Sequence, residues 1–347
     1  MKKIGAIILG GSGYGVGELL RYLIFHPEVE VVSVTSASNV GEKVEDLHPN
    51  LLGFYPKLVC ENSVNIEELA EFAHGVVFSS LPHGTSSIEL AKLLEQGIPS
   101  NVHLIDLSGD LRLADEVVHK THYPDIEFRK SLRDQFEYLI PEINSSQKKT
   151  HISNPGCLST AGAIALAPLV KLGLTGSVYI DAKTGTSGAG RSPQASMHHP
   201  HRQGNFEAYK VLNHRHEPEI RQATGLGTEV ELAFVPHLLP VSRGIVVTLF
   251  ATLADSKLTQ AEVEKYFQKF YESSYFIRFR KLSPTLHDVV GTNFVDLAVT
   301  VRGHQIVVIA ALDNMGKGMA GQAIQNMNLI CGFDETLGLK VPSLGVS

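Results

Sequence analysis

One cysteine in the 347-residue chain is placed where it could act as a nucleophile. It ends the run SNPGC at 153–157, and an apolar segment that we predict to be a helix follows it. Cys157 would then lie at a helix N-terminus, where unpaired N–H groups and the helix dipole stabilise a thiolate or an oxyanion. A lone cysteine is more often a buried structural residue, and we assign that role to Cys60 and Cys331. For Cys157 the Asn-Pro-Gly turn and the helix start favour the nucleophile.

Two histidines could serve such a thiol. His214 and His216 flank an arginine just before a predicted helix start. Histidine accepts and donates protons near neutral pH, and a thiol nucleophile needs a partner of that kind. The alternative is a solvated polar loop, and these residues alone favour neither interpretation.

A glycine-rich loop, GGSGYGVG at 10–17, follows the first predicted strand and opens a helix. Glycines let the backbone approach a pyrophosphate, and the helix N-terminus attracts it. A tight strand–helix turn also uses glycine, but this context favours a nucleotide. An acidic residue at the end of the next strand would bind the ribose of NAD. Ser36 and Ser38 stand there instead, and their hydroxyls suit the 2′-phosphate of NADPH.

A second polar cluster consists of two arginines and three histidines: Arg191, His198, His199, His201 and Arg202. Their spacing matches no familiar metal motif, and no Cys/His pattern in the chain resembles a zinc site. We therefore predict no metal. For this cluster an anion-binding role and a plain solvated surface are equally favoured.

The elements that must position these residues fall into two groups. Up to about residue 150, short apolar strands (4–9, 29–35, 75–80, 102–107) alternate with helices (18–23, 86–96), which predicts an α/β fold with a Rossmann-type, doubly wound parallel sheet. Next comes a helix at 159–172, which we expect Pro168 to interrupt. Strands at 177–182, 229–235, 245–254, 294–301 and 305–311, with a helix at 259–272, predict a mixed α+β domain. A last helix, 319–332, should return to the first domain.

Composition excludes several classes of protein. The formal net charge is −6, and hydrophobic residues make up 43% of the chain. No region is basic enough to call for nucleic acid. No apolar stretch approaches the ~20 residues that span a bilayer, and residues 4–9 form too short a run for a signal peptide. Three distant cysteines argue against a disulfide framework, so we expect a cytoplasmic protein.

Taken together, these motifs resemble those of the N-acetyl-γ-glutamyl-phosphate reductase family over nearly the whole chain. The matching segments, in chain order, are GSGY at 11–14, LPHG at 81–84, DLSGD at 106–110, SNPGC at 153–157, SGAGR at 187–191, HRH at 214–216, PHL at 236–238, RGI at 243–245, DNMGKG at 313–318 and GQA at 321–323. The resemblance implies a catalytic domain of the semialdehyde-dehydrogenase type. It also implies a homodimer or homotetramer.

The resemblance implies that NADPH reduces an acyl phosphate to an aldehyde through a thioester on Cys157. His216 would be the acid/base residue, supported by His214. The cofactor is assigned to Gly10, Ser12, Gly13, Tyr14, Gly15, Ser36, Ser38, Pro82, Gly188, Asn314, Lys317 and Gly318. The substrate is assigned to Asn154, Arg191, Arg243, His198 and His199, with both arginines contacting anions. The NADP-binding domain is predicted to be 1–150 with 313–347, and the catalytic and dimerisation domain 151–312.

Three departures from the family pattern leave the exact substrate open. Val16 stands where the family has glycine, and Leu158-Ser159 where it has an aromatic residue and proline. The run MHHPHR at 197–202 is similar to a sister group that reduces aminoadipyl or glutamyl phosphate on a small acidic carrier protein, which a cationic surface would suit. We place the free N-acetyl substrate first. Two further hypotheses are an aspartate-semialdehyde dehydrogenase, which the HRH and DNMGKG segments argue against, and a nucleotide-sensing regulator without catalysis. Cys157 and His216 speak against the regulator, although the fold alone does not exclude it.

Overall fold

The computed structural model describes residues 2–144 and 150–345. Within them the chain forms two compact units, of which the first comprises residues 2–139, 150–155 and 319–340. The second comprises 140–144, 156–318 and 341–345. These boundaries differ from the predicted domains, because residues 140–144, 313–318 and 341–345 belong to the second unit and residues 151–155 to the first. The predicted ranges also included residues 1, 145–149 and 346–347, which lie outside the described residues.

The first unit is built on a parallel sheet. Its strands are β1 (Ile4–Leu9), β2 (Val29–Thr35), β3 (Cys60–Glu61), β4 (His74–Ser79), β5 (Val102–Asp106), β6 (Phe136–Tyr138) and β7 (His151–Ser153). The accompanying helices are α1 (Tyr14–Leu23), α2 (Val44–Leu47), α3 (Ser86–Gln96), α4 (Glu116–His122) and α5 (Lys130–Arg133). The strand order is β3-β2-β1-β4-β5-β7-β6, with every neighbouring pair parallel. This confirms the doubly wound sheet.

Strand β1 shows why the sequence forms such a sheet. All six of its residues are buried, as expected where helices cover both faces of a parallel sheet. Ile7 and Leu9 pack with Val77, Leu104 and Phe136 in the core. The order places β1 beside β4, where the connections diverge, and nucleotides bind at the carboxyl ends of strands at such a point.

The second unit is built on a mixed sheet. Its helices are α6 (Cys157–Leu172), α7 (His199–Arg202), α8 (His216–Thr224) and α9 (Gln260–Phe270). Its strands are β8 (Leu174–Thr184), β9 (Glu207–Ala208), β10 (Leu232–Leu238), β11 (Ile245–Leu253), β12 (Ile277–Phe279), β13 (Val295–Arg302) and β14 (Gln305–Leu312), in the order β12-β13-β14-β11-β8-β10-β9. Burial alternates along β11, so one face is covered and the other is more open. The predicted mixed second domain is confirmed.

Helix α6 is apolar on all sides and lies against α8, β8, β11 and β14. The expectation that Pro168 interrupts it is wrong, because the helix runs unbroken from Cys157 to Leu172. Proline removes the N–H that would bond the carbonyl four residues earlier. Here the hydroxyl of Tyr271 donates to that carbonyl, on Ile164, at 2.6 Å. A long-range hydrogen bond therefore replaces the missing local one.

The C-terminal helix begins later than predicted. Residues Gly316–Ala320 form a π-helical turn, and helix α10 covers Gly321–Ile330. Residues 319–340 belong to the first unit, in which α10 lies against α1. Within the described ranges, no helix is long and apolar enough to cross a membrane.

Candidate active site

Cys157 is the first residue of α6 and is partly exposed. The N-cap is Gly156, which has extended backbone and offers no side chain to the helix end. The first N–H groups of a helix have no partner within it. With the 16-residue helix behind them, they are oriented to stabilise negative charge on the sulfur or on an oxygen bound beside it.

Glu219 on α8 is the residue that organises this helix start. Its side chain is fully buried, and Oε2 accepts hydrogen bonds from the Gly156 N–H at 3.0 Å and from the Ser159 hydroxyl at 2.8 Å. Its Oε1 lies 3.9 Å from Nε2 of His216. One carboxylate thus links the turn before Cys157 to the predicted acid/base histidine. Sequence reasoning did not select Glu219, although its i, i+3 spacing from His216 on a predicted helix would place both on one face.

The two predicted histidines lie together at the start of α8. Both are almost fully buried, and their rings are edge-to-face with centroids 4.6 Å apart. Nδ1 of His214 accepts the backbone N–H of His216 at 3.1 Å. An accepting Nδ1 places the proton of a neutral His214 ring on Nε2. His214 therefore fixes the backbone that presents His216, and the interpretation as a solvated polar loop is wrong.

Tyr209 is a further residue beside the predicted histidines that sequence reasoning did not select. Its ring meets that of His214 edge-to-face, with centroids 5.5 Å apart. Burial raises the pKa of its phenol, and the negative charge of a Cys157 thiolate raises it further, while Arg215 acts in the opposite direction. Tyr209 therefore keeps its proton at neutral pH and can act as a donor. No motif in the sequence marked it.

The turn at 313–318 packs directly against the catalytic helix start. A Cβ on Gly318 would lie 2.7 Å from Cβ of Cys157 and 3.2 Å from the carbonyl oxygen of Asp313, so only glycine fits. Asn314 accepts from the Gly244 N–H at 2.7 Å and donates to the Ser187 hydroxyl at 2.9 Å. These contacts give the turn a fixed shape against the thiol.

Lys317 and Arg243 both have carboxylate partners. Lys317 has no exposed surface, and its ammonium lies 2.7 Å from Glu142 and over the ring of Phe276. Arg243 pairs with the buried Asp313 at 2.7 Å and keeps 22% of its side chain exposed. The buried ion pair with Glu142 is a structural reason for a lysine at position 317. Arg243 retains surface for a ligand, and both predicted binding roles stay predictions.

The glycine loop of the first unit has the features that a pyrophosphate needs. Helix α1 begins at Tyr14, with Gly13 as its N-cap, no capping side chain and no acidic residue in its first turn. Gly10 has φ +104°, and a Cβ there would lie 2.8 Å from the carbonyl oxygen of Ser80. A Cβ on Gly15 would overlap the Met319 side chain. The glycines thus allow a tight loop that leaves the helix N-terminus open to an anion.

The two serines that are predicted to bind the 2′-phosphate of NADPH follow the last residue of β2. The hydroxyls of Ser36 and Ser38 both donate to Oδ1 of Asn39, at 3.3 and 2.9 Å. Ser36 is buried and Ser38 is exposed. Their donors can be turned toward a phosphate, and this assignment stays a prediction.

The remaining predicted residues are divided between the two units. In the first unit, Pro82 is exposed in the loop after β4, while Asn154 is fully buried, with its amide bonded to Met319 and Asn326. In the second unit, Gly188, Arg191, His198 and His199 are exposed. The neighbouring Arg202 is an exception, because it is buried and paired with Glu207. The surface interpretation therefore fails for Arg202.

Comparisons with known proteins agree with this description. Residues 5–151 match the sequence profile of the semialdehyde dehydrogenase NAD-binding domain, and 157–314 match that of the semialdehyde dehydrogenase dimerisation domain. An aspartate semialdehyde dehydrogenase with NADP from Candida albicans superimposes with a TM-score of 0.69, covering 98% of this chain and 99% of that one at 16% identity. A Vibrio cholerae aspartate semialdehyde dehydrogenase gives 0.68, covering 95% and 98% at 15% identity.

Fold and site therefore define an enzyme of the semialdehyde dehydrogenase class, with an NAD(P)-binding Rossmann unit and a cysteine at a helix N-terminus. N-acetyl-gamma-glutamyl-phosphate reductases are similar along nearly their whole length: that of Methanosphaera stadtmanae at 39% identity, covering 98% of both chains, and that of Methanopyrus kandleri at 41%, covering 96% and 97%. The chain belongs to the N-acetyl-gamma-glutamyl-phosphate reductase family. The interpretation as a non-catalytic regulator is not favoured.

Proposed function

We propose that this chain reduces N-acetyl-γ-glutamyl phosphate to N-acetylglutamate semialdehyde and phosphate, with NADPH as the reductant. The observation that carries the proposal is the Cys157 thiol at the start of α6, tied through Glu219 to His216. The relatives named above act, by their names, on that acyl phosphate. The same chemistry on a carrier-bound acyl group is the alternative.

In the first step, Sγ of Cys157 forms a bond to the acyl carbon, and the carbon–oxygen bond to phosphate breaks. His216 takes the thiol proton and passes it to the departing phosphate. The N–H groups at the start of α6 can stabilise the negative oxygen of the tetrahedral intermediate. The product of this step is a thioester on Cys157.

In the second step the thioester carbon is reduced, and NADPH, which the glycine loop before α1 would hold, would supply the hydride. His216, which has taken one proton from solvent after the first step, would protonate the oxygen of the resulting hemithioacetal and take that proton back as the carbon–sulfur bond breaks. The aldehyde leaves, and Cys157 is regenerated with the one proton that the overall reaction consumes. Glu219 keeps His216 in place, since its carboxylate lies beside the imidazole that gains a positive charge.

For the cofactor, the open N-terminus of α1 and the glycines of its loop fit a pyrophosphate. Ser36 and Ser38 provide hydroxyls where an acidic residue would repel a 2′-phosphate. These features support NADP over NAD. The exposed Ser38 could be changed to aspartate, which should shift the preference of the enzyme toward NADH.

Self-association is supported by the open face of the second sheet. Tyr179 on β8 and Phe250 on β11 are paired across these two strands, and both are about half exposed. Large apolar side chains on an open sheet face mark a contact surface, and the region carries the dimerisation-domain profile. A homodimer or homotetramer, and a cytoplasmic location, remain predictions.

The experiment that tests the proposal is the reverse reaction, in which NADPH formation is followed by its absorbance with N-acetylglutamate semialdehyde and phosphate. Phosphate-dependent NADPH formation that is lost in Cys157→Ala and kept in Cys60→Ala is the expected result. NADPH formation only when the semialdehyde is presented on an acidic carrier protein would replace the proposed substrate. No signal with either substrate, despite NADPH binding, would overturn the proposal.

A further inference from the structure

Three potential metal ligands from distant parts of the chain meet at one edge of the first sheet. His74 begins β4, His103 is the second residue of β5, and Cys331 follows the last residue of α10. Their ring nitrogens and the cysteine sulfur lie within 4.8 Å of one another. His103 and Cys331 are buried, and His74 is half-buried.

The surroundings of His103 favour a metal ligand. Its Nδ1 lies 3.1 Å from the carbonyl oxygen of Thr150. A carbonyl only accepts, so Nδ1 carries the proton and Nε2 keeps a lone pair. Histidines that bind metals almost always donate their other ring N–H in this way, because it fixes the tautomer and the ring orientation.

The ring of His74 is held in place by neighbouring rings. It stacks on His103 with centroids 5.8 Å apart and meets the edge of Phe333 at 6.0 Å. Among the described residues, none hydrogen-bonds to the His74 ring. Two imidazoles and a thiol therefore lie close together, and no hydrogen bond from the described residues occupies the lone pair of His74.

We propose that His74, His103 and Cys331 form a binding site for a thiophilic divalent transition-metal ion of the Zn²⁺ type. Imidazole nitrogen and thiolate sulfur are the donors that Zn²⁺ takes in proteins, and three protein ligands leave the fourth tetrahedral position to water. Donors in such a site are about 3.5 Å apart, so the side chains close by roughly 1 Å on binding. Cys331 binds as the thiolate, and its proton passes to solvent.

The position of the site separates it from the reaction. It lies at the N-terminal ends of β4 and β5, whereas the glycine loop follows the carboxyl end of β1 in the same parallel sheet. The ion would tie the end of α10 to the sheet. Metal binding should therefore stabilise the first unit without taking part in hydride transfer.

Cobalt(II) is the probe for this site, because a thiolate ligand gives it a charge-transfer absorption band. Cys157 is a competing thiolate, so the titration is done in a Cys157→Ala background. We expect one equivalent of cobalt with a thiolate band, which is displaced by Zn²⁺. Adding Cys331→Ser should abolish the band, while Cys60→Ser should keep it.

The half-buried His74 provides a second variant that does not disturb a buried side chain. Loss of a residue that only hydrogen-bonds to a metal ligand lowers metal affinity about 10–100-fold. His74→Gln removes a ligand itself, so it should lower the affinity for cobalt by more than that, while His304→Gln should leave the affinity unchanged. Zn²⁺ should raise the thermal unfolding temperature only where the three ligands are intact. The proposal is overturned if Cys157→Ala shows no band, or if the band survives in Cys331→Ser.

Discussion

Glu219 acts on both partners of the proposed thiol chemistry. Its carboxylate accepts from the Gly156 N–H and the Ser159 hydroxyl, and it faces His216 at 3.9 Å. Glu219→Gln keeps the size of the side chain and removes its charge. We expect kcat/KM to fall at least about tenfold, because the imidazolium of His216 loses its neighbouring anion. The pH–rate profile should also move to lower pH.

Glu217 on the same helix is the matched control for this substitution. It pairs with Arg221 on α8, so Glu217→Gln removes a carboxylate from α8 without touching the thiol. A pH–rate profile that is the same in Glu219→Gln and in the unmodified enzyme would show that Glu219 is a packing residue only.

Gly318 sets how closely the 313–318 turn approaches Cys157. In Gly318→Ala the new Cβ would meet Cys157 at 2.7 Å and a backbone oxygen at 3.2 Å, and neither contact is a flexible side-chain end. The cysteine or the turn must move, and a displacement of about 1 Å can cost about a hundredfold in rate. We expect kcat to fall by on the order of a hundredfold while circular dichroism shows a folded protein. Undiminished turnover would mean that the turn yields without moving the thiol.

At the scale of the elements, helix α6 depends on a residue from outside itself. The Tyr271 hydroxyl supplies the hydrogen bond that Pro168 cannot give to Ile164. Tyr271→Phe leaves this buried carbonyl unsatisfied, which costs about 1–3 kcal/mol. We expect the free energy of unfolding, measured in urea, to fall by that amount. The matched control is Tyr266→Phe on α9, where the ring is partly exposed, and equal losses in both variants would remove the role assigned to Tyr271.

The same helix shows which parts of the fold the sequence could predict. Its apolar run and the Asn-Pro-Gly turn are local signals, and they correctly predicted a helix with Cys157 at its start. The interruption at Pro168 was wrongly predicted, because the compensating group, on Tyr271, lies 107 residues after Ile164. Local rules describe what proline removes, but only the fold shows what replaces it.

The residues of the candidate site also fall into two groups, those with a local sequence signal and those without one. His216 was predicted from a motif, whereas the role proposed for Glu219 comes from contacts with residues about sixty positions away. The proposed metal site has no spacing to recognise, because its ligands come from two strands and a helix end that meet only in the folded sheet. Sequence patterns find groups that are close in the chain and miss those that only the fold brings together.

For the whole molecule, fold and sequence support different parts of the functional conclusion. Aspartate semialdehyde dehydrogenases share the architecture at 15–16% identity, and this likeness shows the fold alone. The class of enzyme is shown by the two family profiles, which leave the acyl group undetermined. The relatives near 40% identity are named for N-acetyl-gamma-glutamyl phosphate, and the proposed acyl group rests on them. The substrate is therefore the part of the proposal that the reverse reaction tests most directly.

The stability of the whole protein should depend on one buried carboxyl at the end of β5. Asp106 has no exposed surface, and burial raises the pKa of its side chain to about 6 against an ordinary 3.8, while hydrogen bonds from Ser86 and Ser108 act in the opposite direction. Between these two values the folded protein holds more protons than the unfolded chain. The stabilisation is complete below pH 4 and is lost as the pH rises through 6.

Asp106→Asn imitates the protonated acid and removes this dependence. From pH 5 to pH 8, the unmodified protein should lose about 1–2 kcal/mol of unfolding free energy relative to the variant. Urea denaturation at both pH values measures the difference, with the exposed Asp125→Asn as the control. If Asp106→Asn and the unmodified protein changed in parallel over this range, Asp106 would be ionised throughout. Its hydrogen bonds to the two serines would then outweigh its burial.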